Sequence, residues 1–178
     1  LIAALIRKGE LSVPGGTDTL IPGDRLYLAG RVAELPAAED LFTERRPPKK
    51  AAIAGGGLTA ETLARELLAD GAQVELFEND EARCEELGRT LQGAKAFDFD
   101  PTDQNELRER KVDQQDLFAA VTGSDEKNLM SALLAKRLGA QQTAAVVQRP
   151  EVIPIFQQLG VDIVVSPRSV ASDHIIRY

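Results

Sequence analysis

One cysteine, one histidine, no tryptophan and aromatic residues at 4% are what this sequence of 178 residues has least of. A single thiol, Cys84, excludes an internal disulfide and leaves too few soft ligands for a cysteine-bound zinc. The reducing cytosol is the compartment that such a composition fits. Scarce stacking rings, with 28 acidic residues against 21 basic ones and a net charge of -7, argue against nucleic acid as a partner. No apolar run reaches the roughly 18 residues of a membrane-spanning helix, so direct membrane insertion is not expected. What is present, 43% hydrophobic and 28% charged residues, is a globular balance.

The chain opens Leu1-Ile2-Ala3-Ala4-Leu5-Ile6, with neither a Met nor the basic segment that a secretory signal needs. It reads as a strand cut from a longer protein. Residues 1–6, 11–13 and 25–29 are expected as short strands. Turn chemistry at Lys8-Gly9, Pro14-Gly15-Gly16-Thr17 and Pro22-Gly23-Asp24 separates them. The charged, proline-paired stretch Glu44-Arg45-Arg46-Pro47-Pro48-Lys49-Lys50 reads as an exposed boundary. Two domains follow from this: a small β-rich lobe over 1–45 and a larger lobe over 46–178.

From Ala51 the rhythm becomes strand, helix, strand. Strands are expected at 51–54, 74–77, 94–97, 117–121, 143–147 and 161–165. Helices are expected at 58–69, from Asn79-Asp80 to about Leu91, at 104–110, from Ser124 or Asp125 to Leu138, and at 150–159. A further helix after Pro167 would carry Val170, Ala171, His174, Ile175 and Tyr178 at helical spacing, as a surface between copies of the chain. Strict alternation predicts an α/β fold, a doubly wound Rossmann-type parallel sheet preceded by the small β-rich lobe.

Gly55-Gly56-Gly57-Leu58-Thr59-Ala60 fits G-x-G-x-x-A between a strand and a helix. Gly55 allows the sharp turn, Gly57 lets a pyrophosphate approach the backbone, and Ala60 lets the helix pack closely. The N–H groups around Leu58 and Thr59 then face the phosphates. Without a ligand, the same glycines make a tight strand-to-helix turn. Glu78, about 20 residues on with Asn79 beside it, would accept hydrogen bonds from ribose hydroxyls and favour NAD over NADP; it also suits a cap of the next helix. At further strand ends, Asp100 can meet an adenine or ribose edge and Thr122 a ribose or phosphate. Arg149 can face phosphate, although an exposed Arg before Pro150 accounts for it too. No Tyr-x-x-x-Lys pair occurs and Cys84 suits packing, so an NAD-linked oxidoreductase is the weaker reading.

The runs Ile53-Ala54-Gly55-Gly56-Gly57, Leu76-Phe77-Glu78-Asn79, Asp100-Pro101-Thr102-Asp103 and Val121-Thr122-Gly123-Ser124-Asp125-Glu126-Lys127-Asn128-Leu129-Met130-Ser131 together resemble the Trk-type potassium uptake regulatory subunits. Their module is the RCK or KTN domain. Ile6-Arg7-Lys8-Gly9 and Ile21-Pro22-Gly23-Asp24-Arg25-Leu26-Tyr27 are similar to that family's smaller lobe. The resemblance implies the end of one such unit followed by the nucleotide lobe of the next. It also implies a cytoplasmic regulatory role, peripheral to the inner face of the membrane. NAD(H), or ATP or ADP, would bind at Gly55, Gly57, Glu78, Asp100 and Thr122 and gate a membrane potassium transporter, and Rossmann lobes would pair into homo-oligomers. Phe99 replaces the family's usual glycine before Asp100 and is expected to narrow the adenine pocket; a degenerate lobe kept for assembly is the corresponding alternative.

Overall fold

The computed structural model describes residues 1–7, 9–31, 34–39, 41–42 and 47–168. They fall into two compact units, Leu1–Arg46 and Pro47–Tyr178. The helix expected beyond Pro167, with Val170, Ala171, His174, Ile175 and Tyr178, lies outside the described residues.

In the first unit, strands β1 (Ile2–Arg7), β2 (Glu10–Ser12) and β3 (Arg25–Leu28) form an antiparallel sheet in the order β2-β1-β3. Central Leu5 pairs with Ser12 on one side and Leu26 on the other and is buried. The end of β1 is tied to the turn before β3 by a two-pronged ion pair: Arg7 Nε donates to Asp24 Oδ1 at 2.8 Å and Nη2 to Oδ2 at 2.6 Å. The Ile21 N–H donates to the same carboxylate at 2.9 Å. A one-turn helix, α1 (Leu35–Glu39), was not expected among strands and turns. Pro36 presets a helical φ near the helix start, and Ala37, Ala38 and Glu39 are helix formers, which suffices for one turn.

The second unit is a six-stranded parallel sheet, ordered β6-β5-β4-β7-β8-β9, of β4 (Lys50–Ala54), β5 (Gln73–Glu78), β6 (Ala94–Asp98), β7 (Leu117–Ala120), β8 (Gln142–Val146) and β9 (Ile163–Val165). The α/β doubly wound sheet expected from the alternation is therefore present. Helices α2 (Leu58–Ala69) and α3 (Glu81–Thr90) cover one face, where Ala60, Ala64, Leu67 and Leu87 pack on Ile53 and Leu76. Helices α4 (Gln104–Glu109), α5 (Asp125–Leu138) and α6 (Ile153–Gln158) cover the other, where Leu107, Ala132, Ala135 and Phe156 pack with Phe77 and Phe118. Lys50, placed in the boundary from sequence, opens β4, and the backbone N–H groups of Lys49 and Lys50 both donate to Asp116 Oδ2, at 2.8 and 3.0 Å.

Local chemistry sets the element ends. Gly71 and Gly139, at φ +85° and +117°, follow α2 and α5. The next residues then donate back, Ala72 N to Leu67 O and Ala140 N to Ala135 O, which closes each helix. The helix expected over 150–159 begins as a 3-10 turn, Pro150–Val152, because Pro154 cannot donate a backbone hydrogen bond. No helix among the described residues is long and apolar enough to cross a membrane.

Phe118 is fully buried, with its ring centroid 6.3 Å from that of Phe77. Phe118→Ala is expected to destabilise the larger unit by about 3–5 kcal/mol, read as a lowered urea midpoint with unchanged slope. In the smaller unit, the Arg7 hydrogen bond, then the Ile21 N–H, hold the Asp24 carboxyl at about 2, below its ordinary 3.8. The folded value is the lower one, so the pair stabilises fully above pH 4 and that contribution is lost as pH falls toward 2. Amide exchange in β1 and β3 should differ between the native chain and Asp24→Asn at pH 6, and the difference should shrink near pH 2.

Candidate functional site

The strand order reverses between β4 and β7, which send their chains to opposite faces of the sheet. A cleft opens at their carboxyl ends, where open α/β sheets take ligands. Its volume is about 320 Å³, and its lining includes Gly55, Gly56, Gly57, Glu78, Asn79 and Thr122. A larger hollow of about 720 Å³ lies in the first unit, walled mostly by Leu, Ile and Tyr side chains. Its one acid, Asp24, is already committed to Arg7. Convergent polar groups favour the smaller cleft.

Gly55 leaves β4 with φ +110°, a conformation that side chains rarely adopt, and its N–H donates to Phe77 O at 2.8 Å. A Cβ there would stand 3.1 Å from the Thr122 nitrogen, so the turn after β4 and the turn after β7 touch. At Gly56 a Cβ would meet Glu78 Oε2 at 2.7 Å and Leu87 at 2.8 Å. Gly57 differs: it caps α2 at φ -72° with nothing within 4 Å of where a Cβ would be. It provides no side-chain cap, so the first N–H groups of α2 stay free of an intrahelical partner. Those belong to Leu58 and Thr59, whose side chains are exposed and do not line the cleft.

Glu78 ends β5 over this loop. Its Oε1 accepts from Asp80 N at 3.0 Å, leaving Oε2 beside Gly56. Capping of α3 falls to Asp80, which accepts from Arg83 N. Thr122 is held by Asn128, a residue 1% exposed. Asn128 Oδ1 accepts from Thr122 N at 2.8 Å and Thr122 Oγ1 at 2.6 Å. Its Nδ2 donates to Thr122 O at 3.0 Å and Val146 O at 2.8 Å. One amide thus spends both donors and accepts twice to join the ends of β7 and β8.

Three expectations need correction. Arg149 does not line the cleft: its Nε meets Asp125 Oδ2 at 3.2 Å and its Nη2 meets Glu126 Oε1 at 3.0 Å. Burial opposes ionisation of Asp125, but the Gln148 N–H and Arg149 outweigh it, so its carboxyl stays below the ordinary value. Arg149 therefore serves that buried acid. Asp100 also stands outside the lining. Its Oδ1 accepts from Thr102 N and Oγ1, at 2.9 and 2.7 Å, and its Oδ2 from Lys127 Nζ at 3.0 Å. Phe99 is not in the lining either: its ring packs 4.7 Å from that of Phe77, which is, so Phe99 borders the cleft only through Phe77.

Arg83, not singled out from sequence, ties α3 to the glycine turn. Its Nε donates to Gly56 O at 2.7 Å and its Nη2 to Glu61 Oε2 at 2.8 Å. Lys127, also passed over, lines the cleft. Its place in the first turn of the helix after Thr122-Gly123-Ser124 was the available signal. Among the described residues, no group of three or more His, Cys, Asp or Glu is arranged to hold a metal.

A glycine turn running into a helix, an acid ending the next strand and a cleft at the switch point define a Rossmann-type lobe. Residues 51–167 match the TrkA-N domain, and the chain belongs to that family. It is 31% identical, over 179 residues, to Trk system potassium uptake protein TrkA homolog 2 of Methanosarcina mazei; the match covers 99% of this chain and 40% of that relative. The chain thus spans less than half the length of the curated relatives it matches. The crystal structure of the GsuK RCK domain is similar with a TM-score of 0.64 at 23% identity, covering 98% of this chain and 37% of that one. The GsuK channel bound to NAD is similar with a TM-score of 0.60 at 22% identity, covering 74% and 25%. At such identities the likeness is one of fold.

Asn128→Ala would leave Thr122 N and Val146 O without their partner. A loss of about 2–6 kcal/mol is expected, at about 1–3 kcal/mol for each of the two stranded groups. Urea unfolding measures it, and Asn128→Asp, which cannot donate to either carbonyl, should not restore the loss at neutral pH.

Proposed function

We propose that this chain is the nucleotide-sensing part of a regulatory subunit for potassium uptake. NAD(H), or ADP or ATP, binds the cleft, and the bound state passes to a membrane potassium transporter. In this reading the protein is cytoplasmic and peripheral to the inner membrane face, is not an enzyme, and assembles through its Rossmann lobes. One observation carries it: Gly57, uncrowded and at the uncapped start of α2, lines the same cleft as Glu78. That pairing suits a pyrophosphate at one end and a ribose diol at the other. Gly55 and Thr122 shape the turn between them, and Asn79 borders the ribose end. The name of the Methanosarcina mazei relative and the NAD-bound GsuK channel support the ligand class and the potassium link.

Calorimetric titration with NADH, NAD, ADP and ATP tests the reading. Glu78→Ala should weaken NADH about ten- to hundredfold, the worth of hydrogen bonds to a charged acceptor. Gly57→Ala should unfold at the native temperature, since its φ suits alanine and nothing crowds the Cβ, yet bind NADH markedly less. If no nucleotide binds the native chain, the lobe serves assembly alone; if Glu78→Ala binds normally, the ribose assignment is wrong.

A further inference from the structure

Among the described residues lining the cleft, Lys127 is the one cation and Glu78 the one acid. Lys127 lies in the first turn of α5, where its backbone N–H donates to the Ser124 Oγ cap at 3.2 Å. Its ammonium is held by Asp100 Oδ2 at 3.0 Å. The other Asp100 oxygen is occupied by the Thr102 N–H and hydroxyl. Both Asp100 oxygens thus have partners inside the protein and Asp100 is not part of the cleft lining, while its neighbour Pro101 and Lys127 both are. Lys127 and Asp100 side chains are 43% and 42% exposed. Water therefore screens the pair, and breaking it costs little.

We propose that Lys127 is a phosphate-contacting residue of this cleft and that Asp100 acts only through it, as a positioning residue. The inference rests on reading the cleft as a nucleotide site. With the cleft empty, the carboxylate keeps the ammonium at the rim. An entering pyrophosphate or polyphosphate carries more negative charge than one carboxylate and competes for the same Nζ. The glycine turn and the N–H groups of α2 recognise a phosphate by shape; Lys127 adds a response to its charge. Its transfer from Asp100 to ligand also unfastens the loop after β6 from α5. Ligands with more phosphate charge gain more from it, and one without phosphate gains nothing.

The experiment titrates ADP and adenosine into the native chain, Lys127→Met, Lys127→Arg, Asp100→Asn and the double variant Asp100→Asn/Lys127→Met. Circular dichroism checks folding, which these half-exposed positions should preserve. Lys127→Met should weaken ADP about tenfold, change adenosine less than about twofold, and flatten the salt dependence of ADP affinity. Lys127→Arg should recover most of the loss. Asp100→Asn should tighten ADP several-fold by removing the competitor, and that gain should vanish in the double variant. Equal ADP affinity in native and Lys127→Met chains overturns the inference and leaves the nucleotide site standing. An Asp100→Asn loss that persists with Met at position 127 puts the carboxylate on the ligand and overturns it too. A native chain that binds neither ADP nor NADH overturns both this inference and the site reading.

Discussion

The chain leaving β4 and the chain leaving β7 pass each other so closely that a methyl group on Gly55 would stand 3.1 Å from the Thr122 nitrogen. That approach is possible because Gly55 has no Cβ and takes a positive φ, and because Asn128 holds Thr122 from behind with three hydrogen bonds and reaches Val146 O with a fourth. The cleft is the space left over where these two turns diverge. If either turn relaxes, Gly57 and the start of α2 lose their register with Glu78. Asn128, outside the lining, and Gly55, within it, therefore both set the shape of the cleft.

Charge around the cleft is organised in local clasps. Arg83 is divided among Gly56 O, Glu61 and Glu86. Arg149 is spent on Asp125 and Glu126, and Lys127 on Asp100. A chain with net charge -7 would repel a nucleotide if attraction depended on its overall field. Free backbone N–H groups and one weakly committed lysine are the devices that offset this at short range.

Backbone demands were legible in the sequence, and side-chain destinations were not. Glycines after strands and helices announce positive φ, so Gly55, Gly71 and Gly139 marked their turns correctly. The period of apolar residues showed the strands and the doubly wound sheet. Helix α1 escaped because a single turn has no period to read. Arg149 and Asp100 were placed by position relative to a strand end and Phe99 by the family resemblance, but their contacts are set by Asp125, Lys127 and Phe77, each more than 20 residues away in the chain. Asn128 was visible as part of a motif, while its role needed Val146, on another strand, to be seen beside it.

Alanine dominates where the sheet meets its helices: Ala51, Ala52 and Ala54 in β4, Ala119 and Ala120 in β7, Ala60 and Ala64 in α2, Ala132 and Ala135 in α5, all buried. Alanine has no side-chain torsion to rotate. A core of longer residues absorbs a small displacement by changing rotamers, but among the buried residues of β4 and β7 only Ile53 and Phe118 have rotamers to change. A nudge at the glycine turn must therefore move backbone against backbone, passing through β4 and β7 to the helices on the far face. The middle of the lobe behaves as a stiff plate, and motion imposed at one edge arrives at the other with little lost on the way.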